Sequence, residues 1–234
     1  MALVHSTKIV TDNLVLYYDA GNTKSYTSSS PTTWTDLTGN GVTGTLENGA
    51  TYFLGYIAFD GTDDYVSTIN DIVLEEEDFT MGFWAFADDV STDYRSLASS
   101  VNDTDGTGYL NAKSWQIYTY SSKLGIHIRN NAGDNGTSIY AGSTISTGTW
   151  YYFVVTRTSG GNYKIYFNGE EEASDSDVDS GTDLDCPNFA IGINRGYNTE
   201  WDGGIAIVQI YKGKALTVAE IKQNFDAHKG RFGL

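Results

Sequence analysis

The stretch IAFDGTDDYV, residues 57 to 66, sets Asp60, Asp63 and Asp64 close together between two short apolar runs. Carboxylates at such spacing repel one another unless something holds them. Three kinds of chemistry use a set like this. Asp60-Gly61 is a tight-turn dipeptide, because Asp bonds to its own backbone and Gly takes positive φ freely. Calcium draws several oxygen ligands from a flexible turn, which makes Asp63 and Asp64 candidate metal ligands. Retaining glycoside hydrolysis needs two carboxylates about 5 Å apart, facing one bond. The turn is the first reading, calcium the second and catalysis the third.

Other acidic segments invite the same question. NDTDGTG, residues 102 to 108, has the Asp-x-Asp-Gly look of a calcium loop, with Asp103 and Asp105 as candidate ligands. It lacks the Glu at the twelfth position of an EF-hand, so an exposed turn competes with a Ca²⁺ site. Asp175, Asp177, Asp179, Asp183 and Asp185 are separated by small and polar residues and read as a loop before a metal site. The runs Glu75–Asp78 and Glu170–Glu172 are contiguous, so strand geometry would split their side chains between two faces. Both are expected to be solvated loops. No His/Cys spacing supports zinc.

A second chemistry is sugar recognition, in which aromatic rings stack on the sugar and polar edges bond its hydroxyls. Gln116, Tyr118 and Tyr120 alternate along one strand face, and His127 and Arg129 share a face of the next strand. The segment Asn194–Asp202 adds Arg195, Tyr197 and Trp201. These are the candidate carbohydrate contacts. Against this, Tyr on a strand face often packs on a neighbouring loop, and Trp201 could plug one end of the fold. A terminal group of Lys212, Lys214, Lys222, Lys229 and Arg231 is either a solvated helix face or a dock for an acidic partner.

The chain of 234 residues suits one large β domain, or at most two small ones, and 26 Gly with 17 Tyr against 2 Pro favour strands joined by tight turns. The formal charge of −16 repels nucleic acid and anionic membrane, which largely excludes nucleic acid as a partner. Cys186 is the single cysteine, so no intrachain disulfide forms. MALVHSTKIVTDN has no apolar core or cleavage site, and no run approaches the roughly 20 apolar residues of a membrane span. Synthesis and folding in a cytoplasm, without membrane insertion, are expected.

Short strand signals recur along the chain at sandwich spacing. NLVLYYDA (13–20) opens the series. FTMGFWAF (79–86) is apolar on both faces, with Phe79, Met81 and Phe83 opposed to Trp84 and Phe86. KLGIHIRN (123–130) aims Leu124, Ile126 and Ile128 one way and Lys123, His127 and Arg129 the other. In WYYFVVTRTSGGNYKIYFNGEEE (150–172) two strands flank Ser159–Asn162, and Asn168-Gly169 turns the chain again. GGIAIVQIYKG (203–213) is the last strand. Thr217 and Glu220 then form a capping box, with Leu216 stapled to Ile221 across it, and open a short helix to about residue 229.

In this order, NLVLYYDAGN, TTWTDLTGNGVTGTL, IAFDGTDDYV, FTMGFWAF, WYYFVVTRTSGGNYKIYFNGEEE and GGIAIVQIYKGKALTVAEI resemble the laminin-G-like members of the concanavalin A-like lectin/glucanase superfamily. The resemblance runs from about Val10 to the C-terminus. It implies an all-β fold, a two-sheet antiparallel jelly-roll sandwich over about 10–213, with one short C-terminal helix, as a single domain. It also implies binding of glycans or proteins, often with calcium, while some relatives hydrolyse glycans. Hydrolytic relatives carry a Glu-x-Asp-x-Glu-like run on one strand, which this chain lacks. Lyase relatives rely on His and Tyr with Arg or Gln neighbours, a pattern His127, Arg129, Tyr118 and Tyr120 would only loosely meet. Relatives commonly hold an acidic pair in the last strand, where this chain has Ala206-Ile207. HSTKIVTDNLVLYYDAGNTKSY and QNFDAHKGRFGL further resemble virion-associated structural proteins of tailed bacteriophages. That resemblance implies a non-enzymatic component of the virion surface, on capsid or tail, for decoration or adhesion. Its partners would be other virion proteins, further copies of itself in a homo-oligomer, and cell-surface polysaccharide. The alternative it leaves open is a free-standing carbohydrate-binding lectin module, with or without calcium, and after it a polysaccharide hydrolase or lyase.

Overall fold

The computed structural model describes residues 8–68, 72, 74, 77–101, 114–129, 136–176, 189–194 and 199–234. Two antiparallel sheets face each other across one core. The first sheet runs in the order Glu170–Asp175, Asn162–Phe167, Tyr151–Thr158, Phe79–Ala87, Asp202–Lys212, Tyr56–Asp60 and Thr51–Phe53. Leu14–Asp19 also pairs with Asp202–Lys212, beside residues 207 to 211, while Tyr56–Asp60 takes residues 202 to 205 of the same strand. The second sheet runs Thr137–Tyr140, Lys123–Arg129, Ser114–Tyr120, Ser96–Val101, Ala190–Ile191, Tyr65–Thr68, Gly44–Glu47 and Thr33–Trp34. The sandwich expected from the strand spacing, and the jelly roll that the family resemblance implies, are thus present.

Alternation explains the layers. Phe79, Met81 and Phe83 from the first sheet meet Trp115, Ile117, Leu124, Ile126 and Ile128 from the second, all in one buried cluster. The opposite side of the first sheet is apolar as well, and the chain has a second element to cover it. Trp84, Tyr152, Val154 and Ile207 pack under Leu216, Ile221 and Phe225 of the C-terminal segment. This is why FTMGFWAF lacks a polar face. The helix spans Val218–His228, is capped at Thr217 by the expected box with Glu220, and ends in a 3₁₀ turn at Lys229–Arg231. Phe225 and Phe232 both stack on the Trp84 indole, with centroids at 5.6 and 4.1 Å.

Turn chemistry follows the sequence closely. Asn168 and Gly169 both take positive φ, 50° and 90°, the type I′ geometry that matches strand twist. One expectation needs correction. Glu170–Glu172 is not a loop: the turn feeds it directly into the exposed edge strand Glu170–Asp175, where backbone pairing with Asn162–Phe167 decides its state. The last strand bulges between Ile205 and Ile207, and Ala206 is buried there.

Candidate functional site

The outer face of the second sheet carries a cluster of tyrosines. Trp115 and Ile117 enter the core, so Gln116, Tyr118 and Tyr120 turn outward on the same strand. Across the register, Gly125 stands between Tyr118 on one side and Tyr140 on the other. With no side chain there, the two tyrosines reach over it and their hydroxyls meet at 2.5 Å. A Cβ at Gly125 would fall 2.5 Å from Tyr140 Cδ1, which explains the glycine. In the next row His127 lies between Gln116 and Ser138. Its Nδ1 is 2.9 Å from Ser138 Oγ, which in turn is 3.1 Å from the Tyr118 hydroxyl.

Tyr94 completes the cluster. Its ring lies parallel to Tyr118, 5.8 Å away at 11°, and meets Tyr120 at 5.4 Å. Its φ is +70°, a left-handed conformation uncommon for a bulky residue, fixed by its backbone N–H donating to Thr119 O at 2.6 Å. Tyr94 is 52 % exposed and Tyr120 38 %, whereas Tyr118 is 4 % exposed beneath them. Tyr120 and Tyr140 also touch, at 5.6 Å. Burial pushes the Tyr118 hydroxyl well above the ordinary tyrosine range, against the opposing hydrogen bond from Ser138. Tyr94 shifts the same way, through desolvation first and its tyrosine neighbours second. These hydroxyls therefore stay protonated and act as both donors and acceptors at neutral pH. Aromatic planes, neutral hydroxyls and an imidazole make a surface suited to a polyhydroxylated ring.

Sequence reading placed Tyr118, Tyr120 and His127 together, and they are together. Arg129 is buried, which withdraws it from direct contact with a ligand on this face. Trp201 also needs correction: it is 1 % exposed inside the main core, and its indole N–H donates to Phe86 O at 3.1 Å. It plugs the sandwich. Arg195, Tyr197, Asp103 and Asp105 lie outside the described residues. Tyr94, Ser138 and Tyr140 were missed. Tyr140 and Ser138 follow once Thr137–Tyr140 is known to pair with Lys123–Arg129, but nothing local foretold the positive φ of Tyr94.

The acidic and basic groups also resolve. Asp60 Oδ1 accepts from the Thr62 N–H at 2.8 Å and Gly61 has φ +71°, the expected Asx turn. Asp60, Asp63 and Asp64 each offer an oxygen within 4.8 Å of the others. The terminal basic group is neutralised within the chain rather than free for an acidic partner. Lys212 pairs with Glu77, Lys214 with Asp12 and Glu220, Lys222 and Lys229 with Asp226, and Arg231 with Asp19. Beside the helix, a groove of about 1030 Å³ is lined by Leu14, Tyr17, Leu37, Thr38, Ala227 and His228 among others. Among the described residues His228 in this groove has no carboxylate hydrogen-bond partner: Nε2 is 3.1 Å from the Tyr17 hydroxyl and Nδ1 is 3.2 Å from Asn224 O.

Comparison with solved structures agrees with this architecture. The binding domain of Paraclostridial Mosquitocidal Protein 1 superposes with a TM-score of 0.66 at 19 % identity, over 91 % of this chain and 52 % of that one. The receptor binding domain of botulinum neurotoxin D gives 0.70 at 14 % identity, over 94 % and 53 %. The chain thus spans about half the length of these toxin domains. Domain 4 of AbnA, a GH43 extracellular arabinanase from Geobacillus stearothermophilus solved with arabinotriose, gives 0.67 at 19 % identity, over 91 % and 98 %. At these identities the likeness is one of fold. No curated protein sequence matches the chain. A family model covers residues 60–222, from the Asx turn through the tyrosine face to the helix. The chain therefore belongs to the concanavalin A-like lectin/glucanases superfamily.

Proposed function

We propose that this is a non-enzymatic glycan-binding domain, displayed on a virion surface for adhesion, whose contact face is the tyrosine cluster of the second sheet. The observation that carries the reading is the pair of exposed rings, Tyr94 and Tyr120, set over a hydrogen-bonded floor of Tyr118, Tyr140, Ser138 and His127. Exposed aromatic planes desolvate cheaply against a sugar's C–H face, while hydroxyls that both donate and accept match its edges. Among the described residues, no carboxylate points from the outward positions of Ser114–Tyr120, Lys123–Arg129 or Thr137–Tyr140. Those positions supply neither the acid nor the nucleophile of glycoside hydrolysis. Similarity of fold to toxin binding domains and to an arabinanase domain solved with a sugar supports the binding reading. The resemblance of the chain's opening and closing segments to phage virion proteins supports the setting, and the charge of −16 suits a soluble displayed scaffold.

The test is a polysaccharide panel with purified wild type, Tyr94→Ala and Tyr120→Ala, in calcium and in EDTA. Binding of the wild type in both buffers, weakened about tenfold by either substitution, is expected. Equal binding by all three proteins would move the site elsewhere, and release of reducing ends or unsaturated sugars would replace binding with catalysis. Copurification with particles tests the setting separately.

A further inference from the structure

The hairpin of Thr51–Phe53 and Tyr56–Asp60 ends the first sheet and carries three large apolar side chains into solvent. Tyr52 is 39 % exposed, Phe53 53 % and Leu54 82 %. Leu54 and Gly55 form the two-residue turn, with φ of +44° and +96°. That is the I′ geometry of Asn168-Gly169, where φ is 50° and 90°. Asn suits the first position of such a turn, because its short polar side chain tolerates the left-handed region. Leu gains nothing there locally: its Cβ crowds the following carbonyl and its side chain stands in water. A strained apolar residue at an exposed tip points to a contact outside the chain.

The turn is braced from behind, and the edge beside it is open. Arg231 donates to Gly55 O while it pairs with Asp19, and Tyr52 stacks on the buried Tyr26 at 4.6 Å and 9°. Phe53 packs edge-on against Tyr56 at 5.6 Å. The tip thus projects from a fixed base, and ordering it on contact costs little. Thr51–Phe53 pairs with Tyr56–Asp60 on one side and, among the described residues, with no strand on the other. Phe53 and Tyr56 close the hairpin as a hydrogen-bonded pair, so alternation turns the Tyr52 N–H and C=O outward. Nothing among the described residues bonds them. The opposite edge of the same sheet, Glu170–Asp175, is guarded by exposed Glu170, Glu171 and Asp175. Residues 49–59 carry no charged side chain.

We infer that Thr51–Leu54 is the surface through which two copies of this chain associate, edge to edge about a two-fold axis at Tyr52. In that pairing each copy's Tyr52 exchanges both backbone bonds with the other's, each Phe53 lies beside the other's Thr51, and each Leu54 reaches past it towards Ala50. Charge selects a second copy as the occupant. A chain of −16 repels its own kind over most of its surface, and an uncharged run is where two copies approach with least repulsion. A strongly acidic or basic partner would find no charge here to answer its own. The two-fold uses one patch twice, so this chain alone supplies the whole interface. The contact is small, and a dissociation constant of about 10–500 µM is expected. It lies at the edge of the first sheet, away from the tyrosine face of the second, so it stands or falls apart from glycan binding.

The experiment is sedimentation equilibrium of the full chain from about 10 µM to about 1 mM, in low salt and in about 0.5 M NaCl. Wild type, Leu54→Asn and Phe53→Thr are compared, with thermal unfolding of the dilute proteins in parallel. Wild type should pass from monomer to dimer across this range, more readily in high salt, which screens the two net charges. Leu54→Asn installs the residue the turn favours, so its unfolding temperature should hold or rise while dimerisation weakens about tenfold or more. Phe53→Thr keeps a strand-forming residue at an exposed position and should weaken dimerisation in the same way. A wild type that stays monomeric to about 1 mM in both salts would overturn the inference. So would a dimer that neither substitution weakens, which would place the contact on another surface. Binding of a monomeric wild type to uncharged phosphatidylcholine vesicles, lost in Leu54→Asn, would assign the hairpin to a lipid surface and overturn it as well.

Discussion

The two outer faces of this sandwich are built from similar residues and finished in opposite ways. Both carry tyrosines beside other polar groups. On the first sheet, Tyr152 and Tyr211 are fully buried beneath the C-terminal segment, where Tyr152 donates to Gln209 Oε1 and Tyr211 donates to Val10 O while accepting from Asn224. On the second, Tyr94 and Tyr120 face solvent and nothing in the described chain covers them. An aromatic residue under a helix stabilises the fold through the apolar area it removes from water. One left open, in a left-handed backbone conformation, adds little to stability and costs something in strain. The contrast teaches which tyrosines are there for the fold and which for something outside it.

Substitutions should separate the two faces. The largest effect belongs to the covered one. Phe225→Ala removes the ring stacked on Trp84 and opens a cavity under the helix, costing about 3 kcal/mol in chemical denaturation while leaving glycan binding at the intact sheet unchanged. Next comes Gly125→Ala, whose methyl would meet Ile139 O and Tyr140 Cδ1, each at 2.5 Å. A loss of about 1–3 kcal/mol is expected, together with parting of the Tyr118–Tyr140 hydroxyl pair, so this variant should lose both stability and binding. Tyr94→Gly is the sharpest test of the contrast. Glycine relieves the positive φ, so stability should hold or rise by up to about 1 kcal/mol, yet binding should fall as it does in Tyr94→Ala. A clear destabilisation by Tyr94→Gly would mean that the ring serves the fold after all.

How far the sequence discloses this division depends on the range of the interactions. Local rules were legible. The I′ turn at Asn168-Gly169, the capping box at Thr217 and Glu220, and the Asx turn at Asp60 each depend on a few adjacent residues. Alternation in Lys123–Arg129 correctly assigned Leu124, Ile126 and Ile128 to the core and His127 to the surface. Position across the sheet was harder to see. Arg129 shares the parity of His127 yet is buried, because parity fixes a direction and says nothing of what later packs there. Trp201 looked like a loop aromatic, but it precedes the last strand and is drawn into the core between the sheets. Tyr140 needed the pairing register, and Tyr94 needed a backbone conformation set by a hydrogen bond to Thr119, 25 residues away in sequence. Lys212, Lys214 and Arg231 read as free charges because their partners Glu77, Asp12 and Asp19 are distant in the chain.

The smallest effect is a pH dependence confined to the covered face. Desolvation beside the helix lowers the His228 pKa from its ordinary value of 6.5, with the opposing pull of Asp19 second. The neutral ring satisfies both of its neighbours: Nδ1–H donates to Asn224 O and Nε2 accepts from the Tyr17 hydroxyl. Protonation would turn Nε2 into a second donor and force Tyr17 to give up its bond. Asp19 and Arg231 face the same region and hold each other as an ion pair, so neither charge is free to compensate fully. The sign follows from proton uptake. Around pH 6.5 the unfolded chain binds a proton at this position more readily than the folded one, so unfolding gains from acidification. Stability should therefore fall as the pH drops from about 6.5 towards the lower folded value, and level off below it. Denaturation midpoints measured across that window should show the slope in the wild type and lose that component in His228→Gln. Glycan binding at Tyr94 and Tyr120 should not follow the same curve, because no part of that surface touches His228. A binding profile that tracked His228 would join the two faces through the core and end the separation drawn between them.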